Sequence, residues 1–265
     1  MKYQIAEDVK PQFKLLLVAT VLSIAVWFLA SWFLPSLNFV FYPLQLFATF
    51  VHEGSHVLAA LVTGSAVQSL TVSPDTSGVV WSQPNGWFSG LLISSAGYIG
   101  TTLFGTLLLV WMRYGFSSRI ALYAASGFVG LMTVVFGLIF PVFNVFTANV
   151  TLGSVIFTVF SGALLTAALF ATARFATLKW ADFALAFIAV QCLLNSFFSL
   201  GDLFVLSATT DAHSDAVNMA SSTGIPSLIW VFVWILVSIA MISIGLRLYA
   251  VSQKSANHDL PFEDN

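Results

Sequence analysis

The chain has 265 residues, of which 58% are hydrophobic and only 8% charged, and its formal net charge is −2. Its mean hydropathy of +0.94 is more apolar than a soluble core of this length requires, which excludes a soluble globular protein and points to repeated membrane spans. A pI near 6.0 argues against nucleic acid as a partner, and a single cysteine, Cys192, excludes an internal disulfide and any cysteine-rich metal site.

The first apolar stretch, 13–34, follows Lys2, Lys10 and Lys14 and has no small-residue cleavage site, so it reads as a retained helix and not a signal peptide. Six further stretches follow at 39–63, 87–112, 119–141, 150–173, 181–206 and 225–249. Each suits a hydrocarbon core about 30 Å thick, so the fold class is an all-α polytopic membrane protein with about seven transmembrane helices. Pro141 and Asn144 mark the break between the fourth and fifth. Residues 1–251 form one membrane domain, and the polar tail 252–265 reads as disordered. Lys2, Lys10 and Lys14 fall on one side of a seven-span chain and Arg113, Arg119, Arg174, Lys179, Arg247 and Lys254 on the other. Counting these charges and giving weight to the first helix argue in opposite directions, so orientation stays open.

The second stretch has no Lys or Arg, and its one acid and both of its histidines fall in His52-Glu53-Gly54-Ser55-His56. An ionised side chain at mid-span costs about 2.5–3.5 kcal/mol, so the cluster calls for compensation, and a metal ion supplies it. His52 and His56 are i and i+4 and share a helix face, where two neutral imidazoles can grip one Zn²⁺. Glu53 can then act as general base toward a water that the metal activates. The composition produces His-Glu-x-x-His by chance in roughly one shuffled chain in 1,500. Gly54 and Ser55 are small enough to let another helix or a substrate approach closely. At 1.5 Å per residue, His52 lies roughly 17–20 Å from either end of its stretch, a depth that favours an intramembrane substrate.

Residues 64–86 mix Val67, Leu70, Val72, Val79, Val80 and Trp81 with serine and threonine around Pro74-Asp75-Thr76-Ser77-Gly78. This pattern predicts a β-hairpin directly after the metal helix, with an edge strand able to pair with an extended substrate. Residues 207–224 are the second polar segment, with Asp211, His213 and Asp215 close together. Ser214 or Asp215 is placed to cap a short helix through Asn218 and Ala220, ended by Gly224.

The His-Glu-Gly-Ser-His pentapeptide in a membrane helix resembles the M50 family of intramembrane metalloproteases, the site-2 protease class, and most closely its M50B-like branch. Ser95-Ala96-Gly97-Tyr98-Ile99-Gly100 is similar to the small-residue helix that packs beside the metal helix there, with Tyr98 and Thr101 in place of the usual Pro and Asn. Ser214-Asp215-Ala216, Thr223-Gly224-Ile225-Pro226 and Trp230 also resemble the branch, so the likeness spans most of residues 45 to 235. A catalytic zinc usually has three protein ligands and one open position. The wider family takes its third ligand from a late helix, in an Asn-…-Leu-Asp-Gly pattern. Asn195 and Asp202 have similar spacing here, although the Asp-Gly pair is missing. The resemblance therefore implies Asp202 as third ligand, with Asp215 as the rival and His213 behind both, and it implies that Asn195 orients the substrate carbonyl or the oxyanion.

The expectation is an intramembrane zinc metalloendopeptidase holding one Zn²⁺ per chain, with His52, His56 and Asp202 (or Asp215) as ligands and Glu53 and Asn195 catalytic. Its partners would be a membrane protein substrate and the lipid bilayer, and its location, as a multi-pass integral membrane protein, the bacterial cytoplasmic membrane. The contrasting readings are an ion or proton transporter, a non-catalytic membrane scaffold, and a peptidase of soluble substrates that sits in a membrane.

Overall fold

The computed structural model describes residues 10–32, 38–144, 150–210 and 212–250. Its elements are α1 (Lys10–Trp32), α2 (Asn38–Val62), strands β1 (Ala66–Val72) and β2 (Gly78–Gln83), α3 (Trp87–Arg113) and α4 (Ser118–Leu131). A π-helical stretch, Met132–Ile139, continues α4 into the short α5 (Phe140–Phe143). They are followed by α6 (Leu152–Phe175), α7 (Leu178–Thr209), α8 (Asp215–Thr223) and α9 (Ser227–Ala250).

Among the described residues, five helices are long and apolar enough to cross a membrane: Trp87–Arg113, Ser118–Phe143, Leu152–Phe175, Leu178–Thr209 and Ser227–Tyr249. Seven spans were expected, and α1 and α2 are the two that are not among the five. Among the described residues α1 contributes a shorter apolar helix, Lys14–Ala25. In α2 the polar residues His52, Glu53, Ser55 and His56 lower the hydropathy of the helix that holds the ionisable cluster. The break after the fourth stretch falls at Asn144, which caps α5. The tail 252–265 lies outside the described residues.

α3 is the central helix and packs against α2, α7, α8 and α9. Small and hydroxylated side chains make this possible, since helices in lipid associate through close packing and interhelical hydrogen bonds. The Thr102 hydroxyl lies 2.6 Å from Ser196 Oγ on α7 and 3.1 Å from Ser238 Oγ on α9. Outward-facing Leu152, Ile156, Phe160 and Leu164 recur every four residues along α6 and are exposed. In water such a stripe would drive aggregation; against lipid it is the ordinary outer surface.

The hairpin forms where the turn chemistry places it. β1 and β2 pair antiparallel, with Leu70 opposite Val80 and Val72 opposite Gly78. Leu70 and Val72 are fully buried, and the Val72 amide donates to Thr158 Oγ1 on α6 at 2.8 Å. The turn is pinned to α2: Tyr42 donates to the Pro74 carbonyl at 2.7 Å, and Thr49 donates to the Thr76 carbonyl at 2.6 Å. The Ser77 hydroxyl and amide donate to Asp75 and hold its carboxyl below the usual carboxylate range.

α8 is the expected short helix. Ser214 caps it by accepting from the Val217 amide at 3.3 Å, and Gly224 ends it at φ 72°, a left-handed conformation that disfavours a side chain. Ala216 and Met219 bury its inner face against α7 and α9. Trp87 donates to the Ser222 carbonyl at 2.8 Å and Trp230 to Thr223 Oγ1 at 3.0 Å, so α3 and α9 both hold its C-terminal end.

Candidate metal centre

Helical spacing puts His52 and His56 one turn apart on α2, with ring centroids 4.9 Å apart. Both rings lie against the backbone of α3 at Gly97, where an added Cβ would collide with His52 Nε2 and stand 2.5 Å from His56 Nε2. His56 Nδ1 is 2.6 Å from the Ile93 carbonyl. A carbonyl can only accept, so Nδ1 carries the proton and Nε2 keeps its lone pair for a ligand.

Asp215, the first residue of α8, meets the pair. Its Oδ2 is 3.5 Å from His52 Nε2 and 3.3 Å from His56 Nε2. Asp215 supplies the acceptor-only carboxylate of the group, with both imidazole nitrogens in reach of one oxygen. His52, His56 and Asp215 each offer one ligand atom, and these atoms lie within 4.8 Å of one another. Two imidazoles and a carboxylate form a common catalytic donor set for zinc. The glycine-floored space between them fits a single ion, since any side chain at position 97 would fill it.

Glu53 is 5% exposed. It turns toward the hairpin, and an ideal Cβ at Gly78, the first residue of β2, would stand 2.6 Å from its Oε1. The strand backbone and the carboxyl therefore touch, in the same cavity as the imidazoles. That cavity holds about 840 Å³ and is lined by β2 from Gly78 to Ser82 and by Asn195, Ser199 and Asp202 of α7.

The structure thus brings together His52, Glu53, His56 and Asp215, with Asn195 and His213 on the walls of the same cavity. Asp202, favoured from the sequence as third ligand, stands outside the three-residue donor group. It lines this cavity and, with Thr76, Asn195 and Ser199, also a second one of about 510 Å³ beside α1 and α2. The reason is geometric: Asp202 is fixed to the side of α7, whereas Asp215 starts a separate helix docked beside Gly97. Asp211 lies outside the described residues. Gly78 and the Ile93 carbonyl are site members that no motif marks. Its place as the last residue of the 74–78 turn signal was the only trace of the first, and a backbone carbonyl leaves none.

The model of the family described as Peptidase M50B-like matches residues 16–245. Neither a curated protein nor a solved structure matches the chain. Families of the M50 type are zinc metalloproteases, and with five apolar helices the match supports an integral membrane metallopeptidase. The chain belongs to the Peptidase M50B-like family.

Proposed function

We propose that this M50B-like family member is an intramembrane zinc endopeptidase that hydrolyses peptide bonds in membrane-embedded or membrane-proximal proteins. The observation that carries the reading is the convergence of the His52 and His56 Nε2 atoms on Asp215 Oδ2 beside a buried glutamate. On this reading His52, His56 and Asp215 hold one Zn²⁺, and a single membrane domain within residues 1–251 carries the activity. When bound, the ion supplies Lewis-acid polarisation of the scissile carbonyl and makes water a competent nucleophile near neutral pH.

Glu53 does the proton work. It takes a proton from the attacking water as the oxygen–carbon bond forms, and delivers it to the amine as the carbon–nitrogen bond breaks. A substrate helix has to unwind first, because its carbonyls are hydrogen-bonded and sterically shielded. β2 lines the cavity over most of its length, and main-chain pairing along it would hold the unwound segment extended, with its carbonyl brought past Glu53 at Gly78. Asn195, which also lines the cavity, has an amide that can orient the same main chain.

The test is Glu53→Gln in purified protein. The variant should keep one zinc per chain and lose cleavage of a membrane-anchored reporter by about 10²–10⁴-fold. Cleavage at the wild-type rate would refute the role of Glu53, and a wild type without zinc would refute the reading as a whole.

A further inference from the structure

Among the described residues Tyr98 is the one phenol on the cavity wall, and the proton work of Glu53 leaves it unused. It follows Gly97 on α3, so the residue that floors the metal space also fixes the position of its neighbour. Its ring is held on both sides. It meets His52 edge to face, with centroids 4.6 Å apart and planes at 86°, and stacks on Trp234 of α9 at 5.5 Å. Trp234 is itself fixed, donating from Nε1 to Ser95 Oγ at 3.2 Å. The backbone is fixed too: the Tyr98 carbonyl accepts from Thr102 Oγ1 at 3.0 Å and from Ser196 Oγ at 3.3 Å.

A ring sandwiched in this way has little rotamer freedom left, yet among the described residues its hydroxyl has no hydrogen-bond partner. Among the described residues the cavity wall carries no lysine or arginine; besides Tyr98 its donors are neutral groups such as Ser94, Asn195 and Asn218, and Tyr98 is the one clamped between a ligand imidazole and a second ring. A reaction that turns a carbonyl oxygen negative here needs a donor on the protein side, and a preorganised donor is worth more than a mobile one.

We propose that Tyr98 is a catalytic residue of the peptidase reaction, its hydroxyl donating a hydrogen bond to the scissile carbonyl oxygen as that oxygen becomes an oxyanion. This rests on the endopeptidase reading above. Water oxygen bonds to the carbonyl carbon, its proton passes to Glu53, and the π pair moves to the carbonyl oxygen, which Tyr98 stabilises while keeping its own proton. As the tetrahedral carbon collapses, that pair returns, the carbon–nitrogen bond breaks, and the Glu53 proton goes to the nitrogen. Asn195 stays with the substrate main chain on the α7 wall, while Tyr98 works on the imidazole side.

The experiment compares wild type, Tyr98→Phe and Tyr98→Leu as full-length protein in detergent. It reads zinc content, kcat and KM on one reporter peptide, and the calorimetric affinity of a phosphinic peptide that mimics the tetrahedral state. Phenylalanine keeps the ring against His52 and Trp234 and removes only the hydroxyl. The expected result for Tyr98→Phe is one zinc per chain, KM within about threefold of wild type and kcat lower by about 10²–10³-fold. Its phosphinate affinity should fall by a similar factor, because a transition-state mimic reports the same contact. Tyr98→Leu should in addition lose zinc, because the wall beside His52 is gone. A Tyr98→Phe enzyme with wild-type kcat overturns the proposal, and so does one whose loss lies wholly in zinc content or KM. A wild type that holds no zinc overturns the endopeptidase reading and this inference together, whereas an active wild type matched by an equally active Tyr98→Phe overturns this inference alone.

Discussion

Two helix seams in this molecule use the same packing device for different ends. Between α2 and α3, Gly97 faces the two imidazoles and Gly100 faces Ser55. Between the π-helical stretch and α6, Gly162 lies as tightly against Thr133. Both seams let backbones approach closely, as small residues do in membrane bundles. They differ in what fills the space. Thr133 turns its hydroxyl back onto the Val129 carbonyl at 2.7 Å, and nearby Ser126 bonds the Thr166 carbonyl at 2.9 Å, so these two hydroxyls are used within the seam. The α2–α3 seam leaves Nε2 lone pairs facing a cavity. A glycine seam is therefore not a site by itself; what makes it one is a group of metal-ligating atoms that converge beside it and open on a cavity.

The sharpest test of this contrast is to add one methyl group to each seam. Gly97→Ala would drive Cβ into His52 Nε2, so we expect loss of bound zinc and a fall in cleavage of more than about 100-fold, with the helical fold kept. Gly162→Ala would overpack Thr133 and should lower stability by about 1–3 kcal/mol while zinc stays at its wild-type level. Metal analysis and thermal unfolding read both. A Gly97→Ala protein that keeps its zinc, or a Gly162→Ala protein that remains folded and loses it, would break the distinction.

The next effect separates two aspartates. Asp215→Ala should weaken zinc binding by more than about 100-fold, beyond the usual cost of losing an outer partner, while Asp202→Ala should leave it unchanged. Competition with a chelator measures this. The reverse pattern would return the third-ligand role to α7.

This pair also shows what the chain made legible. His52, Glu53 and His56 could be read because i, i+4 spacing is local and fixes a shared face wherever the helix packs. The hairpin and α8 could be read for the same kind of reason, since turn residues at 74–78 and caps at Ser214 and Gly224 act over a few positions. The meeting of Asp215 with the imidazoles is tertiary. It depends on Ala216 and Met219 docking α8 beside α3 and on Trp87 and Trp230 holding its far end, and no periodicity encodes that. Asp202 had the more persuasive local spacing after Asn195, but sits on the cavity wall. The span count differed for a related reason: in α2, the residues that build the candidate site are those that lower its hydropathy.

Weakening the caps of α8 should give a smaller effect of the same kind. Ser214→Ala removes the acceptor for the Val217 amide, at a cost of about 1 kcal/mol. Gly224→Ala forces a side chain into a left-handed backbone at φ 72°, costing about 1–2 kcal/mol. Either change should speed hydrogen exchange across 215–223 and loosen zinc by at most about tenfold, because α8 presents Asp215 but is held by other contacts as well. Equal exchange in the variant and wild type would mean that packing alone orders this helix.

The smallest expected effect lies in the hairpin turn. The Asp75 carboxyl is held below its ordinary range by the Ser77 hydroxyl and amide. A depressed folded value means that the turn gains order while the carboxylate is ionised. That gain is complete above the ordinary carboxylate range and is lost as pH falls through the depressed folded value. Asp75→Asn keeps the shape but offers a neutral acceptor, so the acid-dependent step in exchange of the Ser77 amide should disappear and exchange at pH 7 should rise modestly. Because Asp75 is largely solvated, Tyr42 and Thr49 should still hold the turn on α2 and zinc content should not change. If β2 guides an extended substrate, the variant should raise KM slightly and leave kcat alone; a change confined to kcat would mean that the turn acts on Glu53 through Gly78 and not on the substrate.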